Sequence, residues 1–142
     1  MAKTVSTLLG VVFILVGIVG FLAPGLLGAH LSLSHNVVHL LSGAVALYFG
    51  TKGSLASARM FCIVFGIVYG LLGVAGFVLG TSGSPSEGMP LHGTTDANLF
   101  QVIPGVLELG MMDHLIHVAL GIVFLAAGVM TKAAATATET AE

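Results

Sequence analysis

The sequence predicts an all-α membrane protein: a transmembrane four-helix bundle made of two parallel repeats of a helical hairpin. Three observations lead there. The chain is too apolar for a water-covered surface, with 56% hydrophobic and 7% charged residues among 142 and a mean hydropathy of +1.09, whereas soluble domains carry about 25% charged residues. The chain also repeats itself. LGVVFILVGIVGF (Leu9 to Phe21) returns as FGIVYGLLGVAGF (Phe65 to Phe77), and HNVVHLLSG (His35 to Gly43) returns as DHLIHVALG (Asp113 to Gly121); internal repetition constrains a whole architecture. Finally, the basic residues segregate. Lys3, Lys52, Arg59 and Lys132 all fall at one set of helix ends, and none lies in the stretches that alternate with them.

A membrane span needs roughly 20 mostly apolar residues at 1.5 Å rise each. Four segments approach this: 5–22, 36–51, 60–79 and 114–130. The second and fourth are short, which puts their histidine-bearing ends at the interface. The first span follows Lys3 and precedes Leu27-Gly28-Ala29, an arrangement shared with cleaved signal peptides. Its internal copy cannot be a signal, so the first span is expected to be retained. Residues 1–132 thus form a single four-span membrane domain with no room for a separate soluble one, and 133–142 form a disordered cytoplasmic tail.

The positive-inside rule makes the side bearing the basic residues cytoplasmic. Both termini are then cytoplasmic, in a multi-pass protein of the plasma (inner) membrane. The outer loops are 23–35 and 80–113. The second of these carries Glu87, Asp96 and Glu108 and ends at Asp113. Within it, 81–93 is rich in Ser, Gly and Pro and reads as flexible. The apolar run at 97–109, broken by Pro104-Gly105, is expected to be a short interfacial helix or a tucked-in loop. Spans one and three carry Gly10, Gly17 and Gly20, and Gly66, Gly70, Gly73, Gly76 and Gly80. Small residues at such spacing let helices approach closely in lipid, either inside the bundle or against another subunit. A homo-oligomer or a larger membrane complex would form through Gly66, Gly70, Gly73 and Gly76, with the lipid bilayer as the constant partner.

All six histidines fall in the outer half. His35 and His39 share one face of span two, and His114 and His117 share one face of span four. Three readings stand side by side. Helix-start polar groups such as Ser34, Asn36 and Asp113 satisfy orphan backbone N–H groups, and the deeper His39 and His117 bond to each other or to loop carbonyls. Alternatively His39, His117, His35 and His114, helped by Asp113, Asp96 or Glu108, hold Zn or Cu, since neutral imidazole suits both. In the third reading, His39 and His117 are the axial ligands of haem b. The first requires no cofactor.

Other chemistry is sparse. Cys62 is the single cysteine and reads as packing, while Tyr48 and Tyr69 are expected to face the bundle. No phosphate loop, nucleophile elbow or metalloprotease helix occurs, so no enzyme is expected. Four basic residues are too few for a nucleic-acid groove. No carboxylate lies at a span centre, as a transporter would require.

The Gly-rich first span, Leu26-Leu27-Gly28 leading to His35-Asn36-Val37-Val38-His39-Leu40, and Leu99-Phe100 and Pro104 leading to Asp113 and His117 resemble the DUF4383 family of small bacterial four-span membrane proteins. The resemblance runs from about Leu8 to Met130. It implies a four-span inner-membrane protein with no assigned activity. Ser32 to Ser34 replaces the proline-containing turn that the family pattern would place before span two, and His114 is additional to that pattern. The expectation is a small, non-enzymatic integral membrane protein serving as a structural or accessory component; the alternative is a metal- or haem-binding membrane protein.

Overall fold

The computed structural model describes residues 1–132; the expected tail at 133–142 lies outside the described residues. Four helices dominate: α1 (Ala2–Gly20), α2 (Leu33–Thr51), α3 (Leu55–Leu79) and α4 (Met111–Met130). Three of them, α1, α3 and α4, are long and apolar enough to cross a membrane. Although α2 has 19 residues, its first two turns spend Ser34, His35, Asn36 and His39 on polar work. It therefore falls outside that group.

The helices begin where side chains can satisfy free N–H groups. Ser32 Oγ accepts from His35 N–H at 3.3 Å, and Ser54 Oγ accepts from Ser57 N–H at 3.1 Å. At the start of α4, Asp113 reaches back to accept from Gly110 N–H at 2.8 Å, a carboxylate placed where the helix dipole favours it. Of the expected caps, Asp113 serves as one. Ser34 Oγ instead donates to Val106 O, and Asn36 turns toward the preceding loop.

α1 packs along α2, and α3 along α4, far more extensively than either pair packs on the other. Glycines allow this closeness. A Cβ on Gly10 would stand 2.9 Å from the Leu47 backbone nitrogen, and one on Gly66 would stand 2.7 Å from that of Leu125. Gly17 abuts Leu40 and Asn36 O, while Gly73 abuts Val118 and His114 O. Gly66, Gly73 and Gly76 thus all face α4 within the chain. Between the pairs lies a core of Phe13, Ala46, Phe61, Cys62, Tyr69, Phe124 and Ala127, with Ala2 and Ala58 at one end. Phe13 stacks on Tyr69 with ring centroids 5.4 Å apart. Tyr69 is buried and donates to Ser42 Oγ at 3.2 Å. Tyr48, expected to face the bundle, is instead 60% exposed.

The all-α expectation needs one correction. A three-stranded antiparallel sheet, β1 (Thr81–Gly83), β2 (Asp96–Ile103) and β3 (Leu107–Leu109), lies between α3 and α4 in the order β1-β2-β3. The apolar run expected as a short interfacial helix or a tucked-in loop is therefore a β-hairpin. The reason is local: Ile103-Pro104-Gly105-Val106 closes with Val106 N–H on Ile103 O at 3.0 Å, and Gly105 adopts φ +72°. Proline followed by a glycine at positive φ is the pattern of a type II turn. Pro also removes the donor and geometry that a continuing helix would need. Leu99 and Leu109 are buried beneath this sheet.

Candidate functional site

The sheet is fastened over the histidine-bearing ends of the helices by two carboxylates. Glu108, on β3, has no exposed surface. It accepts from Ser86 N–H at 2.9 Å, Ser86 Oγ at 2.5 Å, Gln101 Nε2 at 3.0 Å and Gly105 N–H at 2.8 Å. Burial works against its ionisation, but these donors outweigh burial and hold its pKa below the ordinary carboxylate value. Asp96 behaves alike. Burial is offset by Asn98 N–H at 2.8 Å, Met111 N–H at 3.1 Å and His30 Nε2 at 3.2 Å, and its pKa is lowered.

A polar chain leads from Asp96 inward. The buried His30 donates its backbone N–H to Asp113 Oδ2 at 3.0 Å. His30 O receives the Nδ1–H of His35 at 2.9 Å, and the same nitrogen lies 4.0 Å from Asp113 Oδ1. Because a carbonyl can only accept, His35 carries a proton on Nδ1, and in the neutral ring Nε2 is then the atom with the free lone pair.

Beyond His35 lie the two deepest histidines. His35 stacks on His39 with centroids 4.5 Å apart and is tilted toward His117 at 5.9 Å. His39 rests on Phe13 at 5.5 Å, and His117 rests on Tyr69 at 5.4 Å. All three rings border two cavities. One, of about 110 Å³, is also lined by Phe13, Leu27, Asp113 and Leu120. The other, of about 150 Å³, is lined by Ser42, Phe65, Tyr69 and Leu109.

Of the four histidines read as ligands, His35, His39 and His117 thus come together and His114 does not join them. The His114 ring packs against Gly76 and Phe77, and its Nε2–H donates to Asn98 O at 2.9 Å. On the other helix pair, Asn36 fits against Gly20 and donates Nδ2 to Leu31 O at 3.1 Å. These two side chains, with His35, tie loop carbonyls to the bundle, as the structural reading expects. His39 and His117 do not, for the Nδ1 of each is buried without a partner. Among the described residues, no three His, Cys, Asp or Glu side chains already stand in a metal-holding arrangement. His92 lies apart, with Nδ1 on Pro85 O.

Sequence reasoning did not single out His30. It joins Asp96, Asp113 and His35 across more than 60 residues of chain, a connection that no local spacing could signal.

A family model described as a domain of unknown function (DUF4383) matches residues 3–109, which covers α1 to β3 but not α4. No curated protein and no solved structure matches.

Proposed function

This chain belongs to the DUF4383 family, and from that premise we propose that it is a non-enzymatic four-span bundle of the inner membrane, a structural or accessory component carrying a folded cap on its outer face. The observation that carries this reading is the division of the molecule into an apolar interior and two polar ends. Phe13, Phe61, Phe65, Tyr69 and Phe124 fill the middle ring against ring, with no charged group among them. Every buried ionisable group of the network around His35 lies on the side of the sheet.

A build of two parallel repeats is supported by contacts that recur at matched positions. Gly50 abuts Thr7 and Lys3 O, as Gly128 abuts Ile63 and Arg59 O. Matched residues also meet across the bundle: Ser6 with Cys62 at 3.2 Å, and Phe13 with Tyr69. Lys3, Lys52, Arg59 and Lys132 share the end where Ala2 N–H donates to Thr131 Oγ1 at 2.9 Å, which favours cytoplasmic termini. In this reading α2 also spans, its polar first turns lying beneath the sheet.

Cysteine labelling tests it. In a Cys62→Ser background, an impermeant maleimide should label Glu87→Cys in intact cells and Ala56→Cys only after permeabilisation. Labelling of Ala56→Cys from outside would overturn both the four-span count and the orientation. Of the cofactor alternatives, haem fits poorly, because cavities of about 110 and 150 Å³ are too small for a macrocycle.

A further inference from the structure

We propose that His35, His39 and His117 form a three-imidazole site for a single copper(I) ion, with Asp113 as its counter-charge. This goes beyond the bundle reading and does not depend on how the bundle is oriented. Buried polar atoms in native proteins are nearly always paired, and each exception asks for an explanation. Four imidazoles, those of His30, His39, His114 and His117, keep a buried Nδ1 without a partner. In His30 and His114 the other ring nitrogen is bonded, which leaves His39 and His117, at matched positions of two helices, as the pair to explain, since a lone buried polar group is costly.

The three rings border the same two cavities but do not stand in a metal-holding arrangement as they are, so the proposed site forms by a ring movement. With metal–nitrogen bonds of about 2.0–2.1 Å, two imidazoles on one metal have centroids about 5–6 Å apart. His35 and His117 stand at 5.9 Å. His39, at 4.5 Å from His35, must swing off its stack, and both cavities border its ring. Binding is therefore coupled to unstacking of this pair. The outer groups are already in place: His35 Nδ1–H is held by His30 O, which leaves Nε2 as the ligating atom. Carbonyl partners of this kind fix the tautomer and orientation of metal-binding histidines.

Charge selects the ion. The walls offer one anionic group, Asp113, with Oδ1 at 4.0 Å from His35 Nδ1. A monocation held by neutral imidazoles is balanced by that carboxylate. Zn²⁺ would leave a net charge in an apolar cavity, which is expensive. The chain His30–Asp113–His35 connects the site to Asp96, whose side chain is 14% exposed.

The test uses the 142-residue chain purified in mild detergent and titrated anaerobically with copper(I) against bicinchoninate, and in parallel with Zn²⁺ against a chromogenic chelator. One copper(I) per chain is expected, with affinity falling more than about 100-fold in His39→Ala and His117→Ala and about 10- to 100-fold in Asp113→Asn. His92→Ala should bind as the parent does. X-ray absorption of the copper-loaded parent provides a readout that requires no variant to fold. It should show nitrogen scatterers with imidazole multiple scattering and no sulfur. Failure of the folded parent to take up copper(I), tighter binding of Zn²⁺, undiminished copper binding in His39→Ala or His117→Ala, or a sulfur ligand would each overturn the proposal.

Discussion

The two helix pairs, α1/α2 and α3/α4, make the same contacts with different chemistry. Gly10 meets Leu47 as Gly66 meets Leu125, and Gly20 receives Asn36 as Gly76 receives His114. In both pairs the polar side chain that fills the glycine notch goes on to hold a loop carbonyl, Leu31 O in one and Asn98 O in the other. The matched frame leaves the facing positions free to diverge. Ser6 faces Cys62, Phe13 faces Tyr69, and His35 approaches Asp113, so a symmetric scaffold acquires a donor on one side and an acceptor on the other. His39 and His117 are the histidines that coincide at matched positions, and both have an unpartnered Nδ1. The difference teaches that backbone packing sets the frame and a few substitutions at the centre set the chemistry.

The largest effect should come from closing a notch. In Gly66→Val the first added carbon would stand 2.7 Å from the Leu125 backbone nitrogen, and overpacking of this kind costs about 3 kcal/mol. Gly10→Val should behave alike if the two pairs are equivalent, and thermal unfolding in detergent checks both. Gly70→Ala is the contrast: its nearest neighbour would be Gly121 Cα at 3.9 Å. It should be neutral, or stabilising by up to about 1 kcal/mol through helix propensity. Next come the notch fillers. Asn36→Ala should cost about 1–3 kcal/mol, because it leaves Leu31 O without its donor in a buried site. His114→Ala should cost more, since the ring packing on Phe77 goes as well. The double variant should be additive within about 0.5 kcal/mol if the pairs stabilise the fold independently.

The helices were legible in the sequence because their signals are local. Apolar length and glycine spacing require only neighbouring residues to be read. The sheet was missed although Pro104-Gly105 is a turn signal between two apolar runs. An isolated run such as Leu99 to Ile103 does not itself declare strand or helix; the Pro104-Gly105 turn makes the hairpin, and Glu108 and Asp96 then fasten it to the rest of the loop. The three clustered histidines, His35, His39 and His117, were all among the pairs His35/His39 and His114/His117 that helical spacing picks out. That His114 turns away toward Asn98 was not legible, because it depends on the notch at Gly76 in another helix. His30 carried no signal at all.

The sheet cap sharpens the comparison, because among the described residues it lies in the connection of the second pair alone. Glu108→Gln loses acceptor capacity toward Ser86 and Gly105 and should weaken the cap by about 2 kcal/mol, seen as faster hydrogen exchange across residues 84–109. The pH dependence has a definite sign. Glu108 and Asp96 have folded pKa values below the ordinary ones, so their contribution is complete above pH about 4 and is lost as pH falls through the lowered values. Cap protection should therefore be flat from pH 7 to 5 and decline below pH 4, less steeply in Glu108→Gln.

The smallest effect is expected where the matched positions differ by one oxygen. Tyr69→Phe makes the central stack Phe13 on Phe, removing only the bond from Tyr69 Oη to Ser42 Oγ at 3.2 Å. Ser42 is half-buried and can turn its hydroxyl to a carbonyl of its own helix, so the loss should be about 0.5–1 kcal/mol. The ring still rests on His117, and the core loses no hydrocarbon. A melting temperature that falls as far as in Asn36→Ala would mean that the hydroxyl, rather than the aromatic stack, holds α3 to α2. The centre of the molecule would then be fastened by polar groups, as its sheet-bearing end is, and the division between an apolar frame and a polar cap would fail at that point.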